Sequence, residues 1–190
     1  MNTTKKIKKT FHIFLDIDGV LNNEHHYVSG EARLPNNDFT HFSPTLVKRF
    51  NDMCDEIAKT FDLKVVLSSS HRLGMDNEKS AIYLKENGIK HPCEGRTISV
   101  RFSHIEGMYY VEIPRGVEID EYINRMEIGH YIILDDDSDF LLDQKDHFFQ
   151  TNSYDGLTED VVEEIKGYAK NCHGGDILKE MDLKRNIKKM

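Results

Sequence analysis

Cysteine is scarce. Only Cys54, Cys93 and Cys172 occur in 190 residues, an odd number, widely spaced and without a CxxC pair. That argues against a disulfide framework and a zinc knuckle and predicts a reducing, cytoplasmic setting. Long hydrophobic runs are missing too, since no apolar stretch approaches the roughly 20 residues of a membrane span. The lysine-rich residues 1–10 precede an apolar stretch of only five residues, too short for a signal-peptide core. Nor is there an excess of positive charge. The chain has 25 Lys and Arg against 33 Asp and Glu, a net charge of −8, so charge alone does not build a coat for duplex DNA. The ten histidines form no HxxxH or HExxH pattern, and His25 and His26 read as loop residues. No internal repeat and no long linker is visible.

What remains reads as an ordinary globular chain. With 38% hydrophobic and 31% charged residues it is too apolar for intrinsic disorder. The length predicts a single domain over 1–190, with a basic leader at 1–10 and a basic tail at 172–190. A chain of this size buries about 70% of its unfolded surface and needs no staples.

Residues 11–15 (FHIFL) are a buried run, broken only by His12, that stops at Asp16-Ile17-Asp18-Gly19. Such a run predicts a central parallel strand whose C-terminal end faces a site. Residues 22–42 are polar and read as a loop of about 20 residues, long enough to be a lid or flap. Ser43 and Pro44 open a helix, with apolar residues at helical spacing through Thr60. Residues 64–67 (KVVL) predict a second buried strand ending in Ser68-Ser69-Ser70, and 76–87 a helix closed by Gly88. Segment 89–113 is ambiguous, with short strands expected at 98–102 and 108–113 as a hairpin. Residues 116–127 are amphipathic, and 131–134 (YIIL) give a third buried strand ending in Asp135-Asp136-Asp137. A fourth strand is expected at 147–151. Thr158 caps a last helix through about Lys170, and Ile177, Leu178, Met181 and Leu183 predict a separate short helix docking the tail. Strands alternating with helices predict an α/β fold, a parallel sheet covered on both faces. The polar residues after three strands, at 16–18, 68–70 and 135–139, then converge at its C-terminal edge.

Several carboxylates at close range repel one another unless a cation lies among them. Mg²⁺ is the natural choice, being hard and bound by one or two carboxylates plus a substrate phosphate. In Asp16-x-Asp18 one carboxylate can attack phosphorus while the other gives a proton to the leaving oxygen. Ser68 or Ser69 can hydrogen-bond a phosphoryl oxygen, and Arg72 or Arg115 can offset charge in the transition state. Singly, each feature has a plainer reading. DxDG occurs in calcium loops, though those need a Glu at the twelfth position; three serines make a turn; an acidic run is often only solvated. Their conjunction on successive strand ends is what points to a site.

Asp16-Ile17-Asp18-Gly19-Val20-Leu21 after an apolar strand resembles the first motif of the haloacid dehalogenase (HAD) superfamily. Val65 to Ser68 resembles its second motif, and Ile132 to Asp136 the hhhDD form of its fourth. A finer resemblance is to the small HAD domain of Swiss-army-knife RNA repair proteins. It rests on Leu15 to Asn22 (LDIDGVLN), Ser68 to Arg72 (SSSHR), Arg115 to Ile119 (RGVEI), Leu134 to Asp139 (LDDDSD) and Gly156-Leu157-Thr158. The resemblance implies a three-layer Rossmann-like HAD fold with at most a minimal cap. It implies Asp16 as nucleophile and Asp18 as general acid, then base. It implies Mg²⁺ held by Asp16, the backbone carbonyl of Asp18, and Asp135 or Asp136, with Ser68 positioning the phosphoryl group. Beside these, Gly19, Ser69 and Arg33 are candidates for contact with the substrate. Two departures stand out: the family's usual third-motif Lys has no obvious counterpart, leaving Arg115 or Arg72 to fill it, and His71 stands where Trp is often found.

The leading expectation is a Mg²⁺-dependent phosphatase acting on phosphorylated RNA or DNA ends or nucleotides. Segments 22–42 and 89–113 can rim the site but not roof it, with Tyr27, Arg33, Arg96 and Arg101 as candidate contacts for following nucleotides. A small-molecule 5′-nucleotidase or other metabolite phosphatase is the alternative. A non-catalytic phosphate-binding module on the same fold is a third class, against which the second carboxylate, Asp18, argues. The basic terminal patches read either as solvated charge or as polyanion contacts.

Overall fold

The side-chain alternation of residues 11–15 decides the layering. The computed structural model describes residues 8–30, 41–99, 101–103 and 110–187, with side chains described for all of these except 101–103, 110–112 and 176–187. Strand β1 (Thr10–Leu15) points Phe11, Ile13 and Leu15 to one face and Phe14 to the other. Strands β2 (Asp62–Leu67) and β6 (Tyr131–Asp135) flank it, in parallel. Two further strands, β3 (Cys93–Arg96) and β7 (Phe148–Gln150), complete a five-stranded parallel sheet of order β3-β2-β1-β6-β7. Strands β4 (Arg101–Ser103) and β5 (Tyr110–Glu112) form a separate antiparallel pair, as the sequence pattern predicts.

The first face is covered by helices α2 (Pro44–Ala58) and α5 (Glu159–Ile187). Phe50, Met53 and Ile57 of α2 and Val162 and Ile165 of α5 share one core with Phe11 and Ile13 of β1, Leu63, Val65 and Leu67 of β2, and Leu134 of β6. Leu84 of α3 (Asn77–Glu86) joins the same cluster. The second face is covered by α4 (Arg115–Met126), whose Ile119 and Tyr122 pack on Phe14, Val66 and Ile133. Each such side chain contributes about 1.5–3 kcal/mol by leaving water. Tyr122 and Tyr131 both meet Phe14 edge-on, at ring-centroid distances of 5.7 and 5.9 Å. The three-layer Rossmann-like arrangement is therefore present.

Four local expectations are corrected. Segment 22–42 is not all loop: Glu24–Val28 forms the short helix α1, because Asn23 caps it by accepting the His26 N–H at 2.7 Å. His26 is buried there rather than in a loop. Residues 31–40 of that segment, including Arg33, lie outside the described residues. The edge strand β3 falls before the predicted hairpin; Cys93-Glu-Gly-Arg has no apolar alternation and is a strand only because the edge of β2 offers partners. Helix α5 does not end near Lys170 but runs unbroken to Ile187, taking in the residues expected as a separate short helix. Gly174 and Gly175 cost only about 1 kcal/mol each in a helix, too little to end one already propagating.

Gly116, at the start of α4, sets how closely that helix approaches the loop after β6. A Cβ there would lie 2.6 Å from the Leu141 nitrogen and 2.7 Å from Gln144 Oε1, and Gln144 Nε2 donates to the Gly116 carbonyl at 2.8 Å. Gly116→Ala is expected to cost about 1–3 kcal/mol through overpacking against backbone, and Val117→Ala, on the exposed side, much less. Equilibrium urea unfolding of the two variants checks this; equal stabilities would contradict the close approach.

Candidate active site at the C-terminal edge of the sheet

Strand register builds the site. Leu15 pairs with Leu67 on one side and Leu134 on the other, so Asp16, Ser68 and Asp135 emerge at one level. All three share the parity of Phe14, Val66 and Ile133 and so belong to the face that α4 covers. The Asp16 N–H donates to Leu134 O at 3.0 Å and the Ser68 N–H to Leu15 O at 2.8 Å. The chain then turns at Gly19, with φ +67°, where a Cβ would sit 2.2 Å from Asp136 Oδ2. Only glycine lets that turn lie against the Asp135–Asp136 loop. Thr151 Oγ1 donates to the Gly19 carbonyl at 2.7 Å and the Thr151 N–H to Asp135 O at 3.0 Å, tying the two acidic turns together.

Carboxylate oxygens of Asp16, Asp135 and Asp136 lie within 4.8 Å of one another. Burial raises the Asp16 carboxyl above its ordinary range, while the Arg115 guanidinium and the Ser69 hydroxyl hold it back. Burial, followed by the charge of Asp16, pushes Asp135 up to about 8. Asp136 is raised as well, again by burial first. Three crowded carboxylates with all-oxygen donors fit a hard divalent cation, whose charge would offset the repulsion that contributes to these shifts.

Arg115 is the guanidinium that reaches the cluster, with Nη1 3.2 Å from Asp16 Oδ1. Its placement explains Asp139, whose carboxylate accepts the Arg115 N–H at 2.9 Å and whose carbonyl accepts the Gly116 N–H at 3.2 Å. Asp139 thus anchors the first turn of α4. Arg72 is placed differently from expectation. It is buried, and its fork donates to Ser68 O at 3.0 Å, Ser69 O at 2.6 Å, Ile98 O at 3.2 Å and the Glu118 carboxylate. With its donors so engaged, Arg72 shapes the loop after β2 rather than facing the carboxylate cluster.

Asp18 stands apart from that cluster, in a clamp that the motif spacing does not predict. Asn22 Nδ2 donates to its Oδ1 at 2.7 Å, and His71 Nε2 lies 3.1 Å from Oδ2. Tyr83 Oη contacts the other ring nitrogen, Nδ1, at 2.6 Å. Asn22 also accepts the Gly19 N–H at 3.1 Å and donates to the Tyr27 hydroxyl at 3.0 Å. The His71 hydrogen bond lowers the Asp18 carboxyl, and the same bond raises His71. Asn22 and His71 sit inside the motifs quoted above, so spacing points to them without assigning a role; Tyr83, on α3, carries no signal. Ser68 is buried, and its hydroxyl has no hydrogen-bond partner among the described residues. The side chain of Arg101 lies outside the described residues.

A family model described as the HAD domain in Swiss Army Knife RNA repair proteins matches residues 12–162. No curated protein and no solved structure matches the chain. Among the described residues no helix is long and apolar enough to cross a membrane.

The buried Arg72–Glu118 pair is expected to show strong coupling. Glu118→Gln should cost about 3–5 kcal/mol by leaving a buried guanidinium without its carboxylate, whereas a joint Arg72→Met, Glu118→Leu replacement should cost clearly less than the single costs combined. A double-mutant cycle by urea unfolding measures it, and additive costs would contradict the pairing.

Asp135 gives a pH prediction. Its pKa rises from 3.8 to about 8 on folding, so between about pH 4 and 8 the folded chain keeps a proton that the unfolded chain has lost, and stability falls as pH rises. The raised His71 has the same sign, its contribution being lost as pH climbs through its folded-state value. The thermal midpoint of chelator-treated protein should therefore drop between about pH 6 and 8.5, and Asp135→Asn should flatten the decline. A midpoint that rises over this window would overturn the assignment.

Proposed function

Since the chain belongs to the HAD domain family of Swiss Army Knife RNA repair proteins, a family of HAD-type hydrolases, we propose that it is a Mg²⁺-dependent phosphomonoesterase working through an aspartyl-phosphate on Asp16. The observation that carries this reading is the buried carboxylate of Asp16, held at 3.2 Å by Arg115 and crowded by Asp135 and Asp136. Bound by Asp16, the backbone carbonyl of Asp18, and Asp135 or Asp136, Mg²⁺ would offset negative charge so that a phosphate dianion can approach.

The chain's own groups divide the rest. A carboxylate oxygen of Asp16 attacks phosphorus, the bond from phosphorus to the ester oxygen breaks, and that oxygen takes a proton from Asp18. Asp18 then removes a proton from water as the water attacks the aspartyl-phosphate, releasing inorganic phosphate and restoring the Asp16 carboxylate. Arg115 and the Ser68 hydroxyl, which has no partner among the described residues, supply positive charge and a hydrogen bond where the phosphoryl oxygens gather. The clamp from Asn22 and His71 keeps Asp18 aimed through both steps, and the contact from Tyr83 fixes the His71 ring in turn. The family's description supports phosphorylated nucleic-acid ends or nucleotides as substrates. Tyr27, half exposed and hydrogen-bonded to Asn22, is the described rim residue best placed to stack on a base.

Asp16→Asn is expected to abolish turnover of an aryl phosphate, because an amide does not attack phosphorus. Asp18→Asn should slow turnover by about 10²–10⁴-fold and accumulate phosphorylated protein, detectable by mass after a quench. Chelation should stop the reaction and Mg²⁺ restore it. Near-normal rates for Asp16→Asn, or undiminished turnover in excess chelator, would sink the mechanism. For the substrate, kcat/KM on an end-phosphorylated oligonucleotide should exceed that on the matching mononucleotide and fall more steeply with salt. Equal values with equal salt response would point to a small-molecule nucleotidase.

A further inference from the structure

In the phosphomonoesterase reading above, on which this inference rests, the departing oxygen of the substrate meets Asp18. The group attached to that oxygen then lies against whatever flanks the Asp18 carboxylate, which is more than half exposed. Three planar rings from three separate segments flank it. His71 Nε2 lies 3.1 Å from Oδ2. The Tyr27 hydroxyl accepts from Asn22 Nδ2 at 3.0 Å, and the same amide nitrogen donates to Asp18 Oδ1 at 2.7 Å. His41 meets the His71 ring edge-on, at a centroid distance of 5.9 Å and an interplanar angle of 76°. The Asp18 carboxyl is lowered first by the His71 hydrogen bond and also by the charge of His41, which puts His41 within electrostatic reach of it.

Each ring is held in place while part of it stays open. Both His71 nitrogens are spent on hydrogen bonds, Nε2 on Asp18 and Nδ1 on Tyr83, so what that ring offers a ligand is a face. His41 is exposed, yet its neighbours are fixed. Phe42 is buried with its ring 5.6 Å from that of Tyr83, and the Ser43 N–H donates to Leu21 O at 2.8 Å. Tyr27 is half exposed, pinned at its hydroxyl by Asn22 and along its ring by the buried His26, 5.4 Å away. Among the described residues no Lys or Arg makes a hydrogen bond or ion pair with Asp18 or with any of these rings. This flank therefore suits a planar, uncharged group rather than a further phosphate. A ring carried directly on the departing oxygen, as in an aryl phosphate, stays beside Asp18 and His71. His41 lies one ring further out and is reached by a ring that a sugar spaces from that oxygen.

We propose that Tyr27, His71 and His41 form a leaving-group subsite for the base of a nucleoside, with His41 as the residue that sets this preference. The substrate it selects is a nucleoside phosphate whose base stacks on these rings. A free nucleotide and the terminal nucleotide of a strand both present that chemistry.

The test measures kcat/KM for adenosine 3′- and 5′-monophosphates, each against the same sugar phosphate without its base. Both members of a pair release the same kind of alcohol, so their ratio isolates the base. For the better of the two esters, the base is expected to raise kcat/KM by roughly 5- to 100-fold. His41→Ala should remove most of that advantage and His41→Phe keep it, with the change carried by KM rather than kcat. The ratio is taken within each variant, so a general loss of activity cancels. A ratio near one in the unmutated protein, or an advantage that survives His41→Ala, overturns the subsite. So does an advantage lost equally in His41→Phe, since a ring is then not what is needed. If His41→Ala fails to give a cooperative melt, Tyr27→Leu against Tyr27→Phe makes the same comparison on α1. A dinucleotide phosphorylated at the same position, with and without its terminal base, separates the sources: a larger base advantage there identifies a strand end, a smaller one a free nucleotide. A phosphotyrosyl peptide preferred to every nucleotide overturns the choice of a nucleoside. If Mg²⁺ supports hydrolysis of no ester, the phosphomonoesterase reading fails and takes the subsite with it; hydrolysis with a ratio near one sinks the subsite alone.

Discussion

Leu15, Leu67 and Leu134 stand side by side in three neighbouring parallel strands, and the chemistry at this end of the molecule depends on that alignment. The next residue on each strand, Asp16, Ser68 and Asp135, takes the same level and the same face. A shift of one residue in any strand would turn its polar side chain to the opposite face and into the main core. The apolar packing that fixes register is thus also what fixes the site. Phe14, Val66 and Ile133 are held under Ile119 and Tyr122, and the polar residues two positions on inherit their direction.

Charge is the second constraint. Asp16, Asp135 and Asp136 are held close together, and burial first, then the charge of Asp16, pushes Asp135 up to about 8. The protein offsets part of this with Arg115, itself held by Asp139 through the backbone of the first turn of α4. Asp18, two residues from Asp16, has the opposite environment. Its side chain is open to water and held by His71 and Asn22, which keep its carboxyl low. The two neighbouring carboxylates thus sit in opposite environments, one raised by burial and one held low by its hydrogen bonds.

The two arginines near the site illustrate why order along the chain does not assign a role. Arg72 follows Ser68 closely and is the nearer guanidinium by sequence. It is consumed by three carbonyls and Glu118, because it points into the protein behind the loop it supports. Arg115 is 99 residues from Asp16 in sequence yet makes the ion pair, since α4 begins beside the end of β1.

Much of the fold was legible in the residues themselves. Continuous apolar runs ending in Asp, Ser or Asp pairs are strands buried on both faces, and that pattern located β1, β2, β6 and the convergence of their ends. Strand β3 and helix α1 were not legible, since Cys93–Arg96 has no apolar pattern and Glu24–Val28 is held by one cap. The clamp on Asp18 was half legible: the spacing of Asn22 and His71 marked them, but Tyr83 reaches His71 only because α3 packs beside β3. The sequence by itself determined the residue types that make the chemistry and the strands that carry them, because burial pattern is a property of neighbours along the chain. Which arginine meets Asp16 and which buried hydroxyls have no partner among the described residues were decided by tertiary structure. Those depend on distances between segments far apart in sequence, which only packing sets.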